Sequence, residues 1–112
     1  MLQGTLFYTY LGESVIADTI NRLGFDAMTL GNHEFDGGLE PLTKFITSLN
    51  FPTICANIQS THVEFQSLLI PYKVFPNHGL AIVAVTTADI PGISNPGEGK
   101  AQMCCTAGGV ER

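Results

Sequence analysis

The spacing of hydrophobic residues in the first half of the chain predicts two amphipathic helices. In the segment Glu13–Leu23, two isoleucines and the final leucine recur at helical spacing, and Gly24 follows as a C-terminal cap. A second helix is predicted over Leu39–Leu49, where five apolar side chains form one face. Pro41 lies in the first turn of that helix, where a missing backbone N–H is tolerated.

Short apolar runs between and after these helices predict strands. Ala27–Leu30 and Thr53–Ala56 are such runs, and each is bounded by polar, glycine or proline residues. Helices and strands that alternate with short links indicate a parallel α/β sheet. Further on, Tyr72–Phe75 and Leu80–Thr86 are predicted to form a hairpin, because Pro76–Gly79 between them has the composition of a turn.

Length, composition and charge narrow the class of protein. The chain has 112 residues, enough for one domain at most, and 45% of them are hydrophobic, so we expect a packed core. Five basic residues are scattered singly against ten acidic ones, which excludes a basic stripe for nucleic acid. The longest apolar run, Leu80–Val85, is too short to cross a bilayer. Three cysteines without a Cys-x-x-Cys pair indicate neither a disulfide framework nor a zinc clip.

The loop after the Ala27–Leu30 strand carries the residues best suited to chemistry. It reads Gly-Asn-His-Glu-Phe-Asp-Gly-Gly from position 31, and ligands of open α/β sheets bind beyond the carboxyl ends of strands. Asn32 offers a neutral carbonyl oxygen to a divalent cation. His33 can donate a proton near neutral pH, and Asp36 could accept the other ring N–H and fix its tautomer.

A structural interpretation of the same loop stays open when only the residues are considered. Asp36 could be the N-cap of the following helix, which is a common role for aspartate. His33 would then be a hydrogen-bonded loop histidine, and Asn32 would only favour a tight turn.

The segment Gly31–Asp36 resembles the Gly-Asn-His-Glu-Phe-Asp signature of 5′-nucleotidases in the calcineurin-like metallophosphoesterase superfamily. Further resemblance follows in order along about residues 3–97, in the segments Gln3–Phe7, Gly24–Leu30, Phe51–Pro52, Ala56–Ile58, Pro71–Val74 and Ser94–Gly97. The fold implied by this resemblance is the α/β sandwich of metallophosphoesterases, with alternating helices and strands.

The resemblance also implies a role for each loop residue. Asn32 is similar to the asparagine that ligates one ion of a divalent metal pair, which would be Zn, Mn or Mg. His33 is similar to the histidine that stabilises the transferring phosphoryl group and assists the leaving oxygen, and Asp36 resembles its acidic partner. Two metals in such a site generate hydroxide and clamp an in-line displacement. The implied substrate is a nucleoside 5′-monophosphate, hydrolysed to nucleoside and phosphate.

Departures from the family pattern are equally informative. The family takes further metal ligands from Asp-x-His and Gly-Asp segments upstream and from Gly-His-x-His downstream, and this sequence contains none of them. We therefore expect residues 1–97 to be a partial, incomplete sandwich and residues 98–112 an irregular tail. Alone, the chain is expected to be inactive and not to retain the metals. The first residues lack the features of a signal peptide, although relatives are often secreted or surface-anchored.

An alternative interpretation is a non-catalytic fragment or interaction module that pairs with a full-length homologue. Incompleteness would expose a sheet edge, through which we expect self-association.

Other motifs are weaker. Gly99-Lys100 falls short of a phosphate-binding loop, because the first glycine and the final Ser/Thr are replaced. His62 and His78 match no ligand spacing, and His78 is interpreted as a turn residue. Asn57 is expected to satisfy backbone groups at a strand end.

Overall fold

A computed structural model describes residues 6–87 and 103–104 of the chain. Within them, the helices and short strands follow in the order α1 Leu6–Leu23, α2 Leu39–Thr47, β1 Thr53–Ile54, β2 Gln59–Ser60, α3 Val63–Leu68, β3 Leu69–Ile70, β4 Tyr72–Phe75, β5 Leu80–Val83 and β6 Met103–Cys104. They do not alternate one by one as the sequence predicted, because two strands separate α2 from α3 and four strands follow α3. The mixed α/β class predicted from the sequence is confirmed.

Helix α1 confirms the predicted helix and extends it by two turns toward the N-terminus. The extension crosses a kink at Gly12, whose φ of 73° and ψ of −170° are not helical. In the second half of the helix, Ala17 and Ile20 face the core and are buried. Gly24 ends the helix with a φ of 75°, in agreement with its predicted role as a cap.

Helix α2 buries the predicted apolar face and ends at Thr47, two residues before the predicted end. Its C-terminus is tied to α1 by one side chain. The amide of Asn21 donates to the carbonyl of Ser48 at 2.8 Å and accepts the N–H of Asn50 at 2.9 Å. These two hydrogen bonds hold the end of α2 against α1.

The predicted parallel sheet is present but short. Strands β1 and β3 pair in parallel, and the predicted Ala27–Leu30 strand contributes a single parallel bridge between Met28 and Thr53. Met28 accepts the N–H of Ile54 at 2.7 Å and donates to the carbonyl of Pro52 at 3.1 Å. Because the paired segments are parallel, their carboxyl ends lie at one edge, where the loop from Gly31 begins.

The predicted hairpin is confirmed as the antiparallel pair β4–β5, with Tyr72 opposite Val83 and Phe75 opposite Leu80. Gly79 closes its turn with a φ of 60°, and His78 lies in that turn as predicted. Strand β5 ends at Val83, three residues before the predicted end, but the chain continues beside β1. There the side chain of Asn57 donates to the carbonyl of Thr86 and accepts its N–H, which confirms the predicted role of Asn57.

Residues 59–69, for which the sequence predicted no element, form β2 and α3 and begin β3 at Leu69. His62 caps α3 by accepting the N–H of Phe65 on its Nδ1 atom, at 3.2 Å. In the expected irregular tail, the two described residues form β6 and pair antiparallel with β2. The Gly99-Lys100 pair lies outside the described residues.

The core lies between the helices and the parallel strands. Three phenylalanines, Phe35, Phe45 and Phe65, are its largest fully buried side chains. The rings of Phe35 and Phe65 meet edge to face, with their centroids 6.2 Å apart. None of the helices in the described part of the chain combines the length and apolar character that a membrane crossing requires.

Candidate functional site

The loop singled out from the sequence is a single 3₁₀ turn over Asn32–Phe35. It directly follows residues 27–30, which pair in parallel with β1 through Met28, so it lies at the carboxyl edge of the parallel strands. Phe35 packs in the core with no exposed surface and so anchors the turn to the core. Asn32 is half-buried and His33 is exposed.

His33 and Asp36 form the hydrogen-bonded pair that the sequence suggested. Nδ1 of the ring lies 2.9 Å from Oδ2 of the carboxylate. The His33 side chain is 62% exposed, whereas that of Asp36 is only 16% exposed. A partly buried carboxylate thus holds one nitrogen of the ring, and the other nitrogen, Nε2, is left on the solvent side, where it can reach a ligand.

In the structure, Asp36 does not cap α2, a role that the sequence left open. The N-cap of α2 is Gly38, two residues further on, whose φ of 87° suits glycine. Asp36 lies instead at the C-terminal end of the 3₁₀ turn, where its N–H donates to the carbonyl of His33 at 3.3 Å. Its backbone and its carboxylate both therefore contact His33.

Glu34 is a site residue that the sequence analysis missed. The residue is buried, with 7% of its surface exposed, and Oε2 accepts the N–H of Gly31 at 2.8 Å. A capping signal was present in the sequence. A glutamate three residues after the N-cap, which here is Gly31, commonly accepts the backbone N–H of the N-cap residue. This hydrogen bond closes the loop around Asn32 and His33.

The described residues do not fit a metal pair by themselves. Among them, no three histidine, cysteine, aspartate or glutamate side chains converge on a point that could hold an ion. Asn32 contributes one neutral amide oxygen, and binding a divalent cation against water requires several oxygen, nitrogen or sulfur ligands together. The assignment of Asn32 as one such ligand stays a prediction about a larger site.

A concave feature also lies between α2 and α3. It is a depression of about 310 Å³ lined by Glu40, Thr43, Lys44, His62 and Glu64. Lys44 donates to Glu40 at 2.9 Å, and this hydrogen bond lowers the pKa of Glu40 and raises that of Lys44. Because His62 is engaged in capping α3, we assign no chemistry to this depression.

Comparison with known proteins shows similarity to one group of enzymes. The chain is 39% identical to the human 5′-nucleotidase over 101 residues, which cover 85% of this chain and 18% of that protein. The crystal structure of a 5′-nucleotidase precursor from Thermus thermophilus superposes with a TM-score of 0.78 and 34% identity, over 90% of this chain and 20% of that one.

The NAD nucleotidase of Haemophilus influenzae is similar with a TM-score of 0.73 and 35% identity, over 86% of this chain and 18% of that one. No protein-family model matches the sequence. The chain thus spans about a fifth of the length of these relatives and corresponds to part of one domain.

Proposed function

Because this chain belongs to the 5′-nucleotidase family, we propose that it is the part of a nucleoside 5′-monophosphate hydrolase that supplies the proton-donating side of the active site. The observation that carries this proposal is the 2.9 Å hydrogen bond between Nδ1 of His33 and Asp36. It is found in the loop whose sequence matches the family signature, at the edge of the sheet where ligands of α/β proteins bind.

His33 is the proposed general acid. When a water molecule attacks the phosphorus and the bond to the 5′ oxygen breaks, the nucleoside oxygen needs a proton. The protonated ring of His33 can supply it from Nε2, because Nδ1 is held by Asp36. The neighbouring carboxylate fixes the orientation of the ring, so the proton is delivered from one direction.

The chain alone is proposed to be inactive. The described residues offer Asn32 but no cluster of ionisable ligands, and the sequence lacks the Asp-x-His, Gly-Asp and Gly-His-x-His segments. We therefore propose that the rest of the metal site comes from other polypeptide. The domain boundaries predicted from the sequence, a partial catalytic domain over residues 1–97 followed by a tail, are part of the same proposal.

A second candidate function is an interaction module that pairs with a full-length homologue. This function is favoured by an unpaired backbone edge along residues 27–29. Both backbone groups of Met28 face β1, so those of Ala27 and Thr29 face the opposite side, where no described residue bonds them. An unpaired edge of this kind can accept another strand.

The experiment that tests the main proposal grafts residues 3–97 into the Thermus thermophilus 5′-nucleotidase in place of its equivalent segment. We expect the chimera to release phosphate from adenosine monophosphate, and His33→Ala to abolish most of that activity. The 112-residue chain alone should release none with added zinc, manganese or magnesium. A folded chimera that is inactive, or a chimera indifferent to His33→Ala, would refute the proposal. Stable binding of the isolated chain to the intact relative, without activity, would favour the interaction module.

A further inference from the structure

The buried carboxylate of Glu34 joins the two ends of the site loop. Oε2 accepts the N–H of Gly31 at 2.8 Å, and only 7% of the residue is exposed. Burying a carboxylate costs free energy unless hydrogen bonds compensate for the lost water. Movement of Glu34 away from Gly31 would break such a hydrogen bond and is therefore unfavourable. The carboxylate therefore acts as a fixed point for the backbone of the loop.

The backbone of Gly31 does not require glycine, but the carboxylate of Glu34 leaves no room for a side chain at position 31 unless the carboxylate shifts. The Gly31 φ of −91° is accessible to any residue. A Cβ built on Gly31, however, would lie 2.8 Å from Oε2 of Glu34, which is closer than real Cβ atoms approach an oxygen. The carboxylate occupies the space that a side chain at position 31 would need, so Gly31 and Glu34 form a complementary pair.

The two residues enclosed by this pair are Asn32 and His33. Phe35, which follows Glu34, is fully buried, so the turn is held by its carboxylate at one point and by a core side chain at the next. The direction of the His33 side chain depends on this backbone, because its partner Asp36 lies beyond Phe35 in the same turn. A loop released at Gly31 could move His33 relative to Asp36 without unfolding the core.

We propose that Glu34 is a positioning residue, whose hydrogen bond to Gly31 keeps the His33 ring aligned so that Nδ1 donates to Asp36. The importance of this alignment for catalysis rests on the proposed function, but the alignment itself is a property of this chain. In wild-type protein, the neutral ring should carry its proton on Nδ1. Without the clamp, the ring should shift toward the Nε2-protonated form that free histidine prefers.

The test measures the His33 tautomer by long-range ¹H–¹⁵N NMR of the 112-residue chain, at a pH where the ring is neutral. Only three histidines are present, and His62→Gln and His78→Gln variants assign the signals. Glu34→Gln keeps a carbonyl oxygen for the Gly31 N–H and should retain the wild-type tautomer. Glu34→Ala removes the acceptor and should give a mixture of tautomers.

The matched control is Leu42→Ala, which removes a buried side chain of α2 and none of the hydrogen bonds of the loop. It should lower the melting temperature and leave the tautomer unchanged. A wild-type tautomer in Glu34→Ala would overturn the proposal. An equal shift in Leu42→Ala would also overturn it, since the tautomer would then report general loosening.

Gly31→Ala gives a second test, which stands even if Glu34→Ala does not fold. Gly31→Ala should displace the carboxylate and disturb the tautomer as well. Where Glu34→Ala folds, the double variant Gly31→Ala/Glu34→Ala completes the comparison. The new side chain at position 31 then meets no carboxylate, so the effects of the two substitutions on the tautomer should be markedly less than additive. Additive effects, or a normal tautomer in Gly31→Ala, would contradict the clamp. These measurements need neither substrate nor metal, so an inactive chimera would refute the proposed function while leaving the clamp intact.

Discussion

Oδ2 of Asp36 lies 2.9 Å from Nδ1 of His33, across a single 3₁₀ turn whose intervening residues, Glu34 and Phe35, are both buried. The exposed histidine is thus oriented by a carboxylate that the turn itself places. His33, held by Asp36, is the proposed proton donor, whereas the adjacent Asn32 is a proposed metal ligand. Substitutions can separate these two roles.

The first prediction concerns Asn32 and His33 in the chimeric nucleotidase. His33→Ala should lower kcat by on the order of 10²–10⁴-fold, because it removes a group that acts mainly in the transition state. Added metal should not restore it. Asn32→Ala should instead raise the metal concentration needed for half-maximal activity, and excess metal should partly restore turnover. Equal rescue of both variants by metal would contradict the division of roles.

Asp36→Asn offers a second comparison in the same chimera. The amide keeps the shape of the carboxylate but loses its charge, so it should lower kcat as His33→Ala does, but less. Both kcat and thermal stability should be measured. Normal turnover with a loss of about 1 kcal/mol in stability, the usual net contribution of one hydrogen bond, would mean that the contact between Asp36 and His33 is only structural.

The exposed hairpin leads to a prediction about association. Val74 and Val83 lie on one face of β4–β5 and are 50% and 67% exposed. An isolated two-stranded hairpin is only marginally stable in water, so we expect this face to be covered by another molecule. Each valine buried there contributes about 1.5 kcal/mol or more. Val74→Lys/Val83→Lys should therefore weaken self-association by about 100-fold.

The measurement for the hairpin is sedimentation velocity over a range of protein concentrations. Val63→Lys is the matched control, because Val63 is 82% exposed on α3 and lies outside the hairpin. It should leave association unchanged. A monodisperse wild-type monomer, or equal effects of the control and the double variant, would argue against this surface.

Gly12 provides a stability prediction. Its φ of 73° and ψ of −170° are accessible almost only to glycine, although open space surrounds the position of a Cβ. Gly12→Ala should therefore lower the free energy of unfolding by about 1–3 kcal/mol, the usual cost of such backbone strain. Ser14→Ala, an exposed helical position two residues on, should be neutral or slightly stabilising. Chemical denaturation of both variants checks this, and a neutral Gly12→Ala would show that the kink is not required.

Cys55 gives a prediction about pH. Burial raises the pKa of its thiol, and hydrogen bonds from nearby backbone groups only partly oppose this effect. The folded chain therefore holds its proton to higher pH than the unfolded chain does. The contribution of Cys55 to stability should be fully present below about pH 8.5, the pKa of an unperturbed thiol, and be lost as pH rises through the folded pKa.

Denaturation curves collected from about pH 7 to 10, a range that brackets the thiol pKa, would test this on wild type and Cys55→Ala. The wild-type free energy of unfolding should fall more steeply at high pH than that of the variant, although the variant is less stable throughout. Parallel profiles would mean that the thiol titrates alike in both states.

Local patterns in the sequence determined the second half of α1, most of α2 and the β4–β5 hairpin. In α1 and in the hairpin, the apolar pattern agreed with the glycine that ends the helix or closes the turn, and in α2 the apolar face alone was sufficient. The pairing of His33 with Asp36 was also within reach, because three residues of separation bring side chains to one side of a helical turn. These features depend on neighbours in the chain, and neighbours are visible in a sequence.

Only the tertiary structure decided what depends on distant or buried groups. It showed that Asp36 contacts His33 and that Gly38 caps α2, a choice that two equally reasonable local patterns left open. It also showed that the carboxylate of Glu34 fills the space beside Gly31. A glycine in a sequence does not reveal whether its backbone or its surroundings require it, because the missing Cβ satisfies both conditions. That distinction needs the position of the neighbouring atom.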